Sequence, residues 1–207
     1  MTINKAYLKT TYPLMEHFYT LQGEGFHSGK AAYFLRLGGC DVGCIWCDVK
    51  ESWDASTHPQ VSVQQMIKWV EDSKTPMVVI TGGEPAMYDL ADLTQALQDV
   101  QVYVAIETSG AYPITGELDW ICLSPKKFKT PQPHVFPIAD ELKVIVYNKH
   151  DLIWAKELER QVSSECKLYL QPEWDKSDKV LPEIIEFVKQ NPQWSVSLQT
   201  HKYLNIP

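Results

Sequence analysis

Short β-branched and aromatic runs alternate along this chain with longer stretches in which apolar residues recur at helical spacing. The runs predict strands over residues 16–21, 31–37, 77–81, 102–108, 120–124, 141–146, 167–170 and 195–200. The helical spacing predicts helices over 62–73, 90–99, 150–162 and 182–190, with Ser62 placed to cap the first and Leu90, Leu93 and Leu97 striping the second. Strand and helix in repeated alternation imply a mostly parallel sheet with helical crossovers. Residues 38–59 and 125–138 carry neither period and read as loops.

Polar motifs interrupt this pattern at one kind of place. A cysteine-rich loop after residue 37, Thr81-Gly82-Gly83-Glu84-Pro85, Glu107-Thr108-Ser109-Gly110, Ser124-Pro125-Lys126, Gln171-Pro172-Glu173 and Gln199-Thr200-His201-Lys202 each fall at the carboxyl end of a predicted strand. Barrel-like parallel sheets build their active sites at that end. The six turns are therefore expected to meet at one mouth.

With 207 residues, 44% of them hydrophobic, the chain can bury one sizeable core, and a single domain over 1–207 is expected. A formal charge of -7 supplies no field for a phosphate backbone, which argues against nucleic acid as the main partner. The N-terminus lacks a basic stretch followed by an apolar run, and no segment is long enough to span a bilayer. A cytoplasmic protein with reduced thiols and no membrane partner is the expectation.

Cys40, Cys44 and Cys47 form a C-x3-C-x2-C run. Structural zinc normally takes four protein ligands, and the usual second cysteine pair is missing. Three neighbouring thiolates suit a four-iron cluster instead, with one iron left for a non-protein ligand. Cys122 and Cys166 lie far away in apolar contexts and read as small hydrophobes, although either would be needed as a fourth ligand in a purely electron-transferring module.

The cysteine run, with Trp46 before its last cysteine and Gly82-Gly83-Glu84-Pro85 downstream, resembles the radical S-adenosylmethionine enzymes. That resemblance implies a 4Fe-4S cluster on Cys40, Cys44 and Cys47, and S-adenosyl-L-methionine on its open iron. It also implies radical abstraction of a substrate hydrogen. Phe18-Tyr19-Thr20-Leu21-Gln22-Gly23-Glu24-Gly25, Phe34-Leu35-Arg36-Leu37-Gly38-Gly39, Leu170-Gln171-Pro172 and the tail are similar, nearly end to end, to the 7-carboxy-7-deazaguanine synthase family. The fold implied is α/β, an abbreviated partial (β/α) barrel with the cluster loop after an early strand. The reaction implied is ring contraction of 6-carboxy-5,6,7,8-tetrahydropterin with loss of ammonia, a lyase step toward queuosine and related 7-deazapurines.

The same resemblance assigns residues. Leu21, Gln22, Gly23, Glu24, Arg36, Thr81, His201 and the terminal Pro207 are the substrate candidates, and Glu107 and His201 the catalytic ones. Trp46, Asp48, Gly83, Glu84, Ser109, Ser124, Pro125, Lys126, Gln171, Pro172 and Glu173 are the cofactor candidates. Each has an ordinary counterpart: Arg36 in an apolar strand equally fits an internal ion pair, and Glu107 a structural carboxylate. One position departs from the family. Where a threonine or serine hydroxyl would ligate Mg2+, this chain has Val49, whose side chain offers a hard cation nothing. A homodimer and a flavodoxin-type reductant are further implications. An activase that makes a glycyl radical on a partner protein shares the cysteine spacing but leaves the 21–25 segment unexplained.

Overall fold

The computed structural model describes residues 6–207. Nine strands form one sheet in the order β3-β1-β2-β4-β5-β6-β7-β8-β9, where β1 is Thr11–Leu21, β2 Ala31–Leu37, β3 Gln60–Ser62, β4 Met77–Gly82, β5 Tyr103–Thr108, β6 Trp120–Leu123, β7 Glu141–Val146, β8 Lys167–Pro172 and β9 Trp194–Val196. From β2 to β9 every pairing is parallel, as the strand–helix alternation requires. The exception is the start, where β1 runs antiparallel to both β2 and β3.

Side-chain parity then decides everything about the interior. Leu35, Leu37, Val78, Ile80, Val104 and Ile106 point to the face covered by helices α1 (Val63–Ser73) and α2 (Ala91–Asp99). Leu142, Val144, Val146, Leu168 and Leu170 point to the face covered by α3 (Lys149–Glu159) and α4 (Ser177–Gln190). The alternate positions, among them Arg36, Thr81, Glu107, Lys143 and Gln171, must face the other way, because successive strand residues alternate. That other face curls on itself. The loop after β1 reaches Glu107 on β5 and Lys143 on β7, distances a flat sheet would forbid. The result is an open partial barrel with helices on its convex side.

Local chemistry explains the element ends. Ser62 caps α1 by accepting from the Gln65 amide at 3.2 Å, as expected. A capping box of Asn148 and Asp151 starts α3. Some boundaries differ from the sequence expectation. β1 begins at Thr11, ahead of residue 16, because it changes partner along its length: Thr11–Pro13 pair with β3 and Leu14 onward with β2, across an irregularity at Leu14/Glu16. α4 begins at Ser177 and carries Pro182 in its interior, with buried Val180 and Ile184 anchoring the helix on both sides of it. β9 stops at Val196, and Thr200 starts a short helix, α5 (Thr200–Leu204), where the chain turns in toward the loop after β1. The two stretches read as loops hold 3-10 turns at Lys50–Ser52, Ala55–Thr57 and Pro133–Ile138. Among the described residues no helix is long and apolar enough to cross a membrane.

Candidate active site

The carboxyl ends of the parallel strands surround one cavity of about 280 Å³. Its lining includes residues from all six expected turns: Cys40, Cys44 and Cys47 after β2, Thr81–Glu84 at β4, Glu107–Ser109 at β5, Ser124 and Lys126 after β6, Gln171–Glu173 at β8, and Gln199 and His201 after β9. Leu21, Gln22, Gly23 and Glu24 close it on the β1 side, and Arg36, Trp46, Asp48 and Pro207 also line it. Of the candidates, Pro125 does not; it is buried just behind Ser124.

The cysteine loop is tied down on several sides. The Gly39 amide donates to Ser52 O and the Cys40 amide to Trp53 O, while Glu84 N donates to Gly39 O at 2.9 Å. Gly83 can lie this close only because it has no side chain: a Cβ there would come 2.3 Å from Gly39 O. Further out, Asp41 accepts from Tyr112 Oη at 2.5 Å and from Lys129 Nζ at 2.7 Å. All three thiols are free and face the cavity, whereas buried Cys122 and Cys166 do not line it. Among the described residues no three His, Cys, Asp or Glu side chains form a group for a single metal ion. A set of three soft donors spread over one cavity wall, without a fourth protein ligand beside them, fits a multi-iron cluster with one exchangeable position. Burial raises the thiols of Cys40 and Cys44, the latter to about 11, so iron would have to displace protons to bind them.

Glu84 is used differently from the simplest reading of Gly-Gly-Glu-Pro. Its carboxylate accepts from the Ala86 amide, the Thr108 hydroxyl, the Ser109 amide and the Ser109 hydroxyl. Those four bonds fill its acceptor positions. The buried carboxylate therefore clamps the β4 turn to the β5 turn.

Across the cavity, Gln22 Nε2 donates to Glu107 Oε1 at 2.9 Å, and Gln199 Nε2 to Glu24 Oε1 at 2.9 Å. The loop after β1 is stitched to the tail by Thr200 N to Gly23 O and by Gly25 N to Ser197 Oγ, both 2.9 Å. Asp48 accepts from Lys202 Nζ at 3.0 Å, so the tail also reaches the cysteine loop.

Residues 35–121 match the Radical SAM superfamily. Over 196 residues, 94% of this chain and 92% of the relative, the sequence is 56% identical to a 7-carboxy-7-deazaguanine synthase of Flavobacterium psychrophilum. It is 46% identical over 199 residues to the enzyme of that name from Synechocystis, covering 96% and 95% of the two chains. The chain belongs to the 7-carboxy-7-deazaguanine synthase family. The crystal structure of QueE from Escherichia coli superposes with a TM-score of 0.83 at 28% identity, covering 96% of this chain and 99% of that one. The partial barrel is thus the fold of the 7-carboxy-7-deazaguanine synthases, and membership brings with it the 4Fe-4S cluster and S-adenosylmethionine of the radical superfamily.

Within this family site, several candidates have protein partners. Arg36 faces Glu16 across the β1–β2 register, and its Nε donates to Glu16 Oε1 at 2.6 Å. The internal ion pair is therefore present, and Arg36 still lines the cavity. Lys126 Nζ donates to Ser124 O and Oγ at 2.5 and 2.7 Å and stands 5.9 Å over the Trp46 ring, fastening the β6 turn to the cysteine loop. His201 packs on Gly23, and burial holds its imidazole below the ordinary value. Val49 lines the cavity and gives only its carbonyl, which accepts from Ser52 Oγ at 2.6 Å.

One charged cavity residue was missed in the sequence. Lys143 on β7 is 2% exposed and donates to Glu24 Oε2 at 2.6 Å and Glu107 Oε2 at 3.2 Å. Its signal was present: in Glu-Leu-Lys-Val-Ile-Val it interrupts an apolar strand at alternating parity, as Arg36 does in Phe-Leu-Arg-Leu.

Proposed function

We propose that the protein converts 6-carboxy-5,6,7,8-tetrahydropterin to 7-carboxy-7-deazaguanine with release of ammonia. What supports this beyond family membership is the pairing of two walls in one cavity: the three thiols on one side, and on the other the 21–24 loop locked to the His201 tail. When bound, the cluster and S-adenosylmethionine supply the hydrogen-abstracting radical chemistry. The chain's own residues orient, shield and move protons.

In this reading Leu21, Gln22, Gly23, Glu24, Arg36, Thr81, His201 and Pro207 hold the pterin. Gln22 and Glu24 meet its N–H groups, and Arg36 or the tail its carboxylate surroundings. Trp46, Asp48, Gly83, Ser109, Ser124, Lys126 and the Gln171–Glu173 turn hold S-adenosylmethionine, while Glu84 and Pro125 shape the turns from behind. Glu107, bonded to Gln22 and Lys143 and open to the cavity, carries a proton during the rearrangement. Any Mg2+ is held by substrate, water and backbone oxygens, since Val49 gives no side-chain ligand. A flavodoxin-type reductant, a homodimeric assembly, a single domain over 1–207 and a cytoplasmic location complete the proposal.

Anaerobic reconstitution with iron and sulfide, then turnover with 6-carboxytetrahydropterin and S-adenosylmethionine, tests it by mass spectrometry. The expected products are 7-carboxy-7-deazaguanine and 5'-deoxyadenosine. A cluster-loaded protein that makes neither would overturn the proposal.

A further inference from the structure

Lys143 sits where no solvent reaches it, between two carboxylates that the proposed function gives to the substrate side of the cavity. Each carboxylate is fixed at both oxygens. Glu24 accepts from Gln199 Nε2 and Lys143 Nζ, and Glu107 from Gln22 Nε2 and the same Nζ. Each carboxylate oxygen has two acceptor positions, so the two Glu107 oxygens each keep one beyond the protein bond, while Glu24 is also approached by the Gln171 side chain.

Two carboxylates this close repel one another, and a carboxyl that took up a proton would turn from acceptor to donor. Burial pushes the Glu24 carboxyl up, and Lys143 overrides it, holding the group down to about 2. The two carboxylates therefore present acceptors, and with the one ammonium they carry a formal charge of minus one. That arrangement is complementary to a heterocycle edge made of N–H donors, such as an aminopyrimidinone.

We infer that Lys143 is a positioning residue that holds Glu24 and Glu107 in place as a pair of acceptors for the N–H edge of the bound substrate, and thereby sets substrate affinity. The inference rests on the pterin reading given above. It adds a residue that acts through the two carboxylates it holds.

The test compares the reconstituted wild-type enzyme with Lys143→Met and with Lys143→Met/Glu24→Gln, the second of which preserves the floor's net charge and so protects folding. Affinity for 6-carboxytetrahydropterin is measured by equilibrium binding, and KM and kcat across pH. Both variants are expected to bind on the order of 10- to 100-fold more weakly than wild type. KM of Lys143→Met should also worsen more steeply than that of wild type as the pH falls from about 8 to 5, because burial raises the Glu24 carboxyl once the ammonium no longer holds it down. A structural role would lower thermal stability but leave affinity within twofold and the KM profile parallel to that of wild type; that result overturns the inference while the functional reading stands. A wild-type enzyme that neither binds the pterin nor forms 7-carboxy-7-deazaguanine overturns both.

Discussion

The imidazole of His201 lies against the backbone of Gly23, so that a Cβ at position 23 would come 2.1 Å from its Nδ1. No other residue type leaves room for the ring. Gly23→Ala should push His201 out of the cavity wall and loosen the Thr200 to Gly23 bond beside it. Since misplacement by about 1 Å can cost a factor on the order of 100, kcat/KM should fall by that order. Combining Gly23→Ala with His201→Ala should restore most of the lost melting temperature but none of the activity, a non-additive cycle that would be absent if the two residues were independent.

Val49 makes a second prediction. Val49→Thr places a hydroxyl where the family has one, and the Ser52 hydroxyl already bonded to Val49 O holds that segment in place. The variant should respond to Mg2+ more strongly than the unsubstituted protein. Equal stimulation of the two proteins in a Mg2+ titration of initial rate would show that position 49 plays no part.

A third concerns the ties around the cysteines. Asp41 is exposed, and hydrogen bonds from Lys129 and Tyr112 hold its carboxyl below the usual range. Exposed ion pairs contribute only about 0–1 kcal/mol, so Asp41→Asn should hardly change global unfolding. It should nonetheless speed loss of the reconstituted cluster, followed by its visible absorbance under a chelator, because this contact fixes the loop between Cys40 and Cys44 to the rest of the mouth.

Much of this was legible in the sequence because strand parity and turn position are local properties. Arg36, Thr81, Glu107, Ser124 and Gln171 could be placed at strand ends, and the six turns meet as the alternation demanded. What could not be read was pairing between distant segments. Arg36 was equally open to an ion pair or a ligand, and only its register with Glu16 shows that the ion pair is present. Glu84 stood among the cofactor candidates, and only the fold shows its carboxylate bonded to Thr108 and Ser109, 24 and 25 positions away. Lys143 went unnoticed because its meaning depends on Glu24, 119 residues earlier.

The tail gives a fourth prediction. Pro207 lines the cavity. A C-terminal affinity tag should raise KM strongly while an equivalent N-terminal tag leaves it unchanged, a comparison made on the two purified proteins with equal cluster content.

The last prediction concerns acid. His27 is 7% exposed, ringed by Phe26, Tyr103 and Trp120, with no hydrogen-bond partner for either nitrogen among the described residues. Burial and then nearby Lys30 lower its pKa below 6.5. The unfolded chain thus binds this proton more readily than the folded one, so stability falls as the pH drops below about 6.5. His27→Leu should flatten that part of a plot of melting temperature against pH; an unchanged slope would assign the effect to His17 or His201, whose values are also lowered.

The stitching of the 23–25 loop to residues 197–200 joins segments more than 170 positions apart. Contacts of such long range form late in folding. One wall of the cavity is thus held by two segments far apart in sequence, and a break in either loosens the same seam.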